Sequence, residues 1–438
     1  MTIADLIDKI RHNAIAKDSS WAVIGSAMGR GLSMVAGIVI ARLLGAEVYG
    51  EYGMIKSTLA YVAALSTFGL GYTATKYIAQ CKSDNPVAIG RIIASSTNIT
   101  LTMSCIMAAL LLLFADKIAS NPNIVPALRY TALLIVCNAV NTTQQGLLAG
   151  FKDFRTIAIN NTIVGIITFV LASLLTYRFG LDGALAALFI SMLIQCIINQ
   201  FAVRRLYRRI AHAAGLTGTI GFKQMGERWA LTKELIVFSF PIALQECVYA
   251  ASCWLRLFLI ARLAGYDELG LYTAADQWFI MILFVPGMLR NVILSHLSSS
   301  ADDRRTHTQT FSLMLKINIA ATAIPAAIIA IGSPIICDMY GHSFNGFTIV
   351  LLIAVVTSIF GCIANVYTQE FISRDKNWIL LLGYIVRDFG SLAIAAPFLF
   401  WYGAQYGAAI AYLGVLTTHV IYCIILNRIY KYEFNRNL

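Results

Sequence analysis

The sequence predicts an all-α integral membrane protein of about 12 transmembrane helices, in two homologous six-helix bundles related by a pseudo-two-fold axis along the membrane normal. Three observations predict it. The chain is 58% hydrophobic and 13% charged with a mean hydropathy of +0.72, whereas soluble domains carry about 25% charged residues. Apolar runs of about 20 residues recur along its length, each enough to cross a hydrocarbon core about 30 Å thick. The stretch Ala41 to Tyr52, ARLLGAEVYGEY, returns half a chain later as Ala261 to Tyr272, ARLAGYDELGLY. Ala41, Arg42, Leu43, Gly45, Gly50 and Tyr52 match Ala261, Arg262, Leu263, Gly265, Gly270 and Tyr272 without a gap, and Glu47 meets Asp267. Such self-similarity at a fixed offset marks an internal duplication.

Residues 1–20 carry Lys9, Arg11 and Lys17 among Ile3, Leu6, Ile7 and Ile10, with no cleavage-site pattern, and read as a cytoplasmic juxtamembrane amphipathic helix. Apolar runs between polar breaks then place spans at 21–44, 53–78, 90–115, 125–149, 156–178 and 182–203, forming a first bundle over 21–203. A basic linker follows at 204–233. A second bundle over 234–427 has spans at 234–263, 272–297, 310–332, 345–371, 378–401 and 405–427, before a tail at 428–438. Each copy of the repeated stretch falls between two spans, so it reads as a short hairpin whose glycines permit the turn and whose Arg and Tyr meet the membrane interface. Lys152-Asp153 echoes Arg374-Asp375, and FGLDGA from Phe179 echoes YGAQYGA from Tyr402. An even number of spans per half makes the repeats parallel.

Basic residues prefer cytoplasmic loops. With the N-terminus inside, twenty-three of the 33 Lys and Arg fall in inside segments, against five outside, so both termini are expected in the cytoplasm. The linker is the most basic connection and suits an anionic leaflet. A charge of +11 spread between spans without a binding motif argues against nucleic acid. The nine cysteines lie mostly in apolar runs without a close CxxC pair, and read as small buried hydrophobes. The six histidines form no metal-spaced cluster, and no metal or other cofactor is expected.

Arg30, Lys56, Arg256, Arg290 and Arg387 lie inside spans, with Glu246, Asp276 and Asp388, and Glu370 sits near a span end. A charge at a helix centre costs about 2.5–3.5 kcal/mol on insertion scales, so these side chains belong to an interior or a watery cavity. Ser26, Arg30, Ser33 and Gly37 share one helical face, as do Gln245, Tyr249, Ser252 and Arg256, and Asn138, Asn141 and Gln145 make a shorter stripe. The plainer alternative is interhelical packing, with Ser and Asn bonded between helices and the charges paired. Lys56 and Asp276 are repeat equivalents of opposite sign, which suggests either a latch between halves or two groups meeting water. Arg387 and Asp388 point about 100° apart on a helix, so their pairing is not assumed.

The pattern ARLLGAEVYGEYG followed by STFGLGYTATKYIA, Ala41 to Ala79, resembles the start of bacterial polysaccharide exporters of the Wzx type. These sit in the multidrug/oligosaccharidyl-lipid/polysaccharide flippase superfamily, with the MATE antiporters and the lipid II flippase. The resemblance implies a carrier in the bacterial cytoplasmic (inner) membrane that moves an undecaprenyl-diphosphate-linked oligosaccharide to the periplasmic leaflet by alternating access. It implies cationic residues on the first, second and eighth helices, matched by Arg30, Lys56 and Arg290. Arg and Lys suit a diphosphate, Arg through bidentate hydrogen bonds. Asn138, Asn141, Gln145, Gln245, Tyr249 and Ser252 suit sugar hydroxyls, and the lipid tail can stay in membrane lipid. Asp276, Glu246 and Asp388 are candidates for coupling to H+ or Na+ or for neutralising cations, and a polysaccharide polymerase is a candidate partner. A MATE-like exporter of cations is the alternative, but it would want more intramembrane acids than these. A membrane polymerase or glycosyltransferase would want a large outside loop, and no HExxH, GxSxG or P-loop is present.

Overall fold

The computed structural model describes residues 14–80, 86–118, 125–213, 225–299, 304–374 and 376–435. They form helices α1 (Ala14–Thr67), α2 (Leu70–Gln80), α3 (Pro86–Ile118), α4 (Val125–Gly150), α5 (Phe154–Ala213) and α6 (Met225–Leu263). The remaining helices are α7 (Tyr266–Ile282), α8 (Phe284–Ser299), α9 (Arg304–Ile331), α10 (Ser333–Tyr340), α11 (Phe347–Ser373) and α12 (Asn377–Asn435). The amphipathic segment expected at 1–20 lies largely outside the described residues, and 14–20 simply begin α1.

Among the described residues, six helical stretches are long and apolar enough to cross a membrane: Ala27–Thr67, Pro86–Lys117, Phe154–His212, Arg305–Ile331, Phe347–Ser373 and Trp378–Tyr432. The bent pair Tyr266–Ile282 and Phe284–Arg290 makes up to seven, and the chain is a multi-pass membrane protein. Three of these stretches far exceed one crossing, since about 20 residues already span the core. Each holds one residue outside helical dihedrals: Gly45, Gly180 and Tyr406.

Several element boundaries differ from the expectation. The turn in the first repeat copy is one residue, not an eight-residue connection, because helical hydrogen bonding resumes directly after Gly45. Expected span 53–78 is broken at Phe68 and Gly69, both at positive φ. Expected span 272–297 is bent by 48° at Leu283. Pro286 is the cause, since it has no N–H for the carbonyl four residues back. A short helix, α10, follows the end of α9 at Gly332 and was not anticipated. Residues 204–213 continue α5 and 225–233 begin α6, so of the expected linker only 214–224 lies outside the described residues. FGLDGA breaks at Gly180, whereas its echo breaks at Tyr406 and not at Gly403.

By packing, the chain divides into one unit of residues 1–36 and 55–250 and another of 37–54 and 251–438. The first holds an apolar cluster of Ala74, Ile78, Ile92, Leu147, Leu148 and Val203, which gathers α2, α3, α4 and α5. In the second, Ile293, Phe311, Tyr367, Phe371, Tyr422 and Tyr430 pack α8, α9, α11 and α12 together.

The second unit also explains the repeated stretch. Gly45 has φ 77° and ψ 171°, and Gly265 has φ 97° and ψ 172°, so both copies turn through nearly the same left-handed conformation, which favours glycine. Gly50 and Gly270 do not turn. They sit inside helices where the two copies touch: a Cβ on Gly50 would enter the Tyr266 carbonyl oxygen, and one on Gly270 would enter the Ala46 carbonyl oxygen. Each glycine therefore faces the carbonyl four residues before its counterpart, a reciprocal contact of the kind a local two-fold produces. Tyr52 and Tyr272 are buried at 4% and 5% exposure, because the close approach of the helices encloses them.

Candidate functional site

Polar side chains collect in two places, one in each unit. In the first unit, a hollow of about 320 Å³ is lined by Ala60, Ala64 and Thr67 of α1, Gly69, Gly71 and Thr75 at the start of α2, and Glu246 of α6. Helix α4 closes it with Asn138, Thr142, Gln145, Gly146 and Ala149. The break at Phe68 and Gly69 makes the wall, since a continuous helix would have carried α2 elsewhere. Thr75 Oγ1 donates to the carbonyls of Gly71 and Gly146 at 2.9 and 2.8 Å, fixing α2 to α4. The hollow thus offers an amide pair and a carboxylate beside small apolar residues, a surface that hydroxyl-rich ligands fit.

The expected stripe on α4 is divided by this arrangement. Asn138 and Gln145 line the hollow, while Asn141 turns to α5 and donates to the Met192 carbonyl at 3.1 Å. Asn141 is a packing residue because its helical position faces the neighbouring helix.

In the second unit, Arg256 is the hub of a buried network. Its guanidinium donates to Ser391 Oγ at 2.9 Å and to the Tyr272 hydroxyl at 3.3 Å. Ser391 Oγ donates in turn to the Asp388 carbonyl at 2.7 Å. Arg387 pairs with Asp388 through Nε–Oδ1 at 2.7 Å and Nη2–Oδ2 at 3.1 Å. Adjacent residues diverge at Cβ, but the long arginine stem folds back far enough to make both bonds. The Arg387 guanidinium also lies 5.0 Å from the Tyr384 ring centre and 5.4 Å from that of Tyr422. The Tyr412 hydroxyl donates to Asp276 Oδ1 at 3.3 Å, and its ring packs 4.6 Å from Tyr272.

The five intramembrane cations therefore separate. Arg256 and Arg387 are held within the buried network, whereas Arg30, Lys56 and Arg290 expose their side chains. Arg290 Nε makes a long bond to Asn365 Oδ1 at 3.3 Å. On α1, Ser33 is exposed and bonds to its own Gly29 carbonyl, while Gly37 is buried against Gln277. On α6, Tyr249 is exposed and Ser252 fully buried, so that stripe does not share one environment. The side chain of Gln245 lies outside those described.

Sequence reasoning missed one cluster. His307 Nε2 lies 2.9 Å from both oxygens of Glu370, and Arg374 Nε donates to Glu370 Oε1 at 2.6 Å. His307 and Glu370 are 2% and 0% exposed. The i, i+4 spacing of Glu370 and Arg374 was visible, but only folding brings His307 of α9 to α11. Of the cysteines, Cys137, Cys253, Cys362 and Cys423 are buried, but Cys105 and Cys247 are exposed on apolar helices, so burial does not describe all of them. Among the described residues no group of His, Cys, Asp and Glu could hold a metal ion.

The fold and the polar helix interiors define a transporter-like membrane protein. The chain aligns with the inward-facing form of a multidrug-resistance MATE transporter of the MOP superfamily at a TM-score of 0.78 and 15% identity, over 95% of this chain and 99% of that one. A family model described as polysaccharide biosynthesis protein matches residues 15–293, and the chain belongs to that family. It is 22% identical over 420 residues to the lipid III flippase of Escherichia coli (strain K12), covering 93% of this chain and 96% of the relative. It is also 23% identical over 339 residues to the succinoglycan biosynthesis transport protein ExoT of Rhizobium meliloti (strain 1021), covering 74% of this chain and 64% of that protein.

Proposed function

We propose that this chain is a flippase for cell-surface polysaccharide synthesis, moving a polyprenyl-diphosphate-linked oligosaccharide from the cytoplasmic to the periplasmic leaflet by alternating access. Family membership supports the class, and relatives named as a lipid III flippase and a succinoglycan transport protein support the cargo class. The observation that carries the reading to named residues is the exposure of Arg30, Lys56 and Arg290 on apolar helices, where a cation is expensive. A diphosphate is an anion that such side chains bind, and Arg can hold it through two bonds at once. Asn138 and Gln145 in the hollow of the first unit are the residues offered to sugar hydroxyls, and Glu246 beside them is the acid placed for a coupling H+ or Na+. Asp388 is assigned to neutralising Arg387, and Asp276 to the tyrosine network. The breaks at Gly45, Gly180 and Tyr406 are read as hairpins within paired spans, which supports twelve crossings in a six-plus-six duplication with both termini cytoplasmic in the inner membrane. A polymerase is the expected consumer of the translocated unit.

Complementation tests this. In the host lacking the gene, lipid-linked units should accumulate on the cytoplasmic face, and wild-type protein should relieve the block. Arg30→Gln, Lys56→Gln and Arg290→Gln, at matched membrane levels, should relieve it poorly. Units that reach the periplasm without the gene would remove the flippase reading. Three fully active variants would remove the anion site alone.

A further inference from the structure

We propose that the C-terminal part of α5 is a binding site for an anionic phospholipid, separate from the cargo path. Two hollows meet there. One, of about 420 Å³, is lined by Val140 and Gln144 of α4 and by Cys196, Ile197, Gln200, Phe201 and Arg204 of α5. The other, of about 630 Å³, is lined by Phe201, Arg204, Arg205, Arg208, Arg209 and His212. Phe201 and Arg204 belong to both, so an apolar limb opens directly into a cationic one.

The i, i+4 spacing of Gln200, Arg204, Arg208 and His212 keeps one face turned the same way for about 18 Å, at 1.5 Å per residue. The opposite face is anchored, with Val203 buried and Leu206 packed on Ile92 and its neighbours, so the arginines sit on a fixed helix and not on a free tail. All four arginines are exposed, as is Phe201 at 68%. Inside the apolar limb, Gln144 is 3% exposed and donates to Gln200 Oε1 at 2.9 Å, yet its own Oε1 is buried without a hydrogen-bond partner. A single ligand with an acyl chain and a phosphate answers both limbs. Charge complementarity selects an anionic headgroup, because four guanidiniums around a zwitterion would gain little.

The test uses the purified full chain in detergent, titrated with phosphatidylglycerol or with phosphatidylcholine of the same acyl chains and read by native mass spectrometry. Wild type is expected to bind phosphatidylglycerol at least tenfold more tightly. Arg208→Gln/Arg209→Gln should weaken that binding roughly thirty-fold, the factor given by about 1 kcal/mol per arginine near an anionic surface. Arg178→Gln, an exposed arginine at the other end of the same helical run, should leave it unchanged. Ile197→Trp, which fills the apolar limb, should weaken the lipid but not inorganic phosphate. Equal binding of the two lipids, or an unaffected double variant, overturns the proposal. An unaffected Ile197→Trp would reduce the site to a bare anion site, and displacement of phosphatidylglycerol by far lower concentrations of a polyprenyl diphosphate would make it a cargo dock; either result also overturns it.

Discussion

Replacing Gly50 by alanine sets two opposed effects against each other. In the interior of a helix, alanine is favoured over glycine by about 1 kcal/mol, so by propensity alone Gly50→Ala should stabilise the protein. The structure predicts the opposite sign. The added methyl would enter the Tyr266 carbonyl oxygen and come within 2.9 Å of the Gly270 nitrogen, and both are backbone atoms that cannot rotate away. Overpacking of a tight contact costs about 1–3 kcal/mol, and a backbone clash belongs at the upper end because whole helices must separate. The net expectation is a loss of about 1–2 kcal/mol, and Gly270→Ala should match it through the Ala46 carbonyl. Gly287→Ala is the control, since a Cβ there meets nothing within 4 Å and should be neutral or mildly stabilising. The assay is the temperature at which half of the purified protein remains monodisperse in detergent, with transport measured on the same variants. A rise for Gly50→Ala, or a fall as large for Gly287→Ala, would refute the argument that the repeat glycines exist for close approach.

Asp388→Asn should be strongly destabilising, by about 3–5 kcal/mol, because it leaves the Arg387 guanidinium buried without its carboxylate, and adding Arg387→Leu should recover much of the loss in a thermal-stability cycle. Glu370→Gln removes the negative charge and one of the acceptor oxygens shared by His307 and Arg374 and should also destabilise, seen as a lower yield of monodisperse protein. Asn138→Ala and Gln145→Ala should lower transport in the complementation assay with stability nearly unchanged. Asn141→Ala should do the reverse, losing roughly 1 kcal/mol with the hydrogen bond to Met192 while transport per folded molecule stays near wild type.

Membrane class, the repeated stretch and the presence of costly intramembrane charges were all legible in the chain, because each depends only on local composition or on a sequence compared with itself. Hydropathy follows from transfer free energy residue by residue, and a repeat needs no coordinates to be seen. The closely similar dihedrals of Gly45 and Gly265 show how far that reading carried. The element ends were less legible, because a single non-helical residue, or a proline two residues into a helix, can break a span that composition leaves continuous.

What tertiary structure alone decided is which groups meet. Gly50 and Gly45 look alike in sequence, yet one permits a turn and the other permits contact with its repeat mate, a distinction set by atoms 220 positions away. Asn138 and Asn141 lie less than one helical turn apart, and the neighbouring helix made one a lining residue and the other a packing residue. Five cations read as one class divided into two held in a buried network and three with exposed side chains, and His307 found Glu370 across 63 residues. Local chemistry determined which residues are expensive in a bilayer; only long-range packing determined which of them are compensated, because a partner's distance is a property of the folded chain and not of its order.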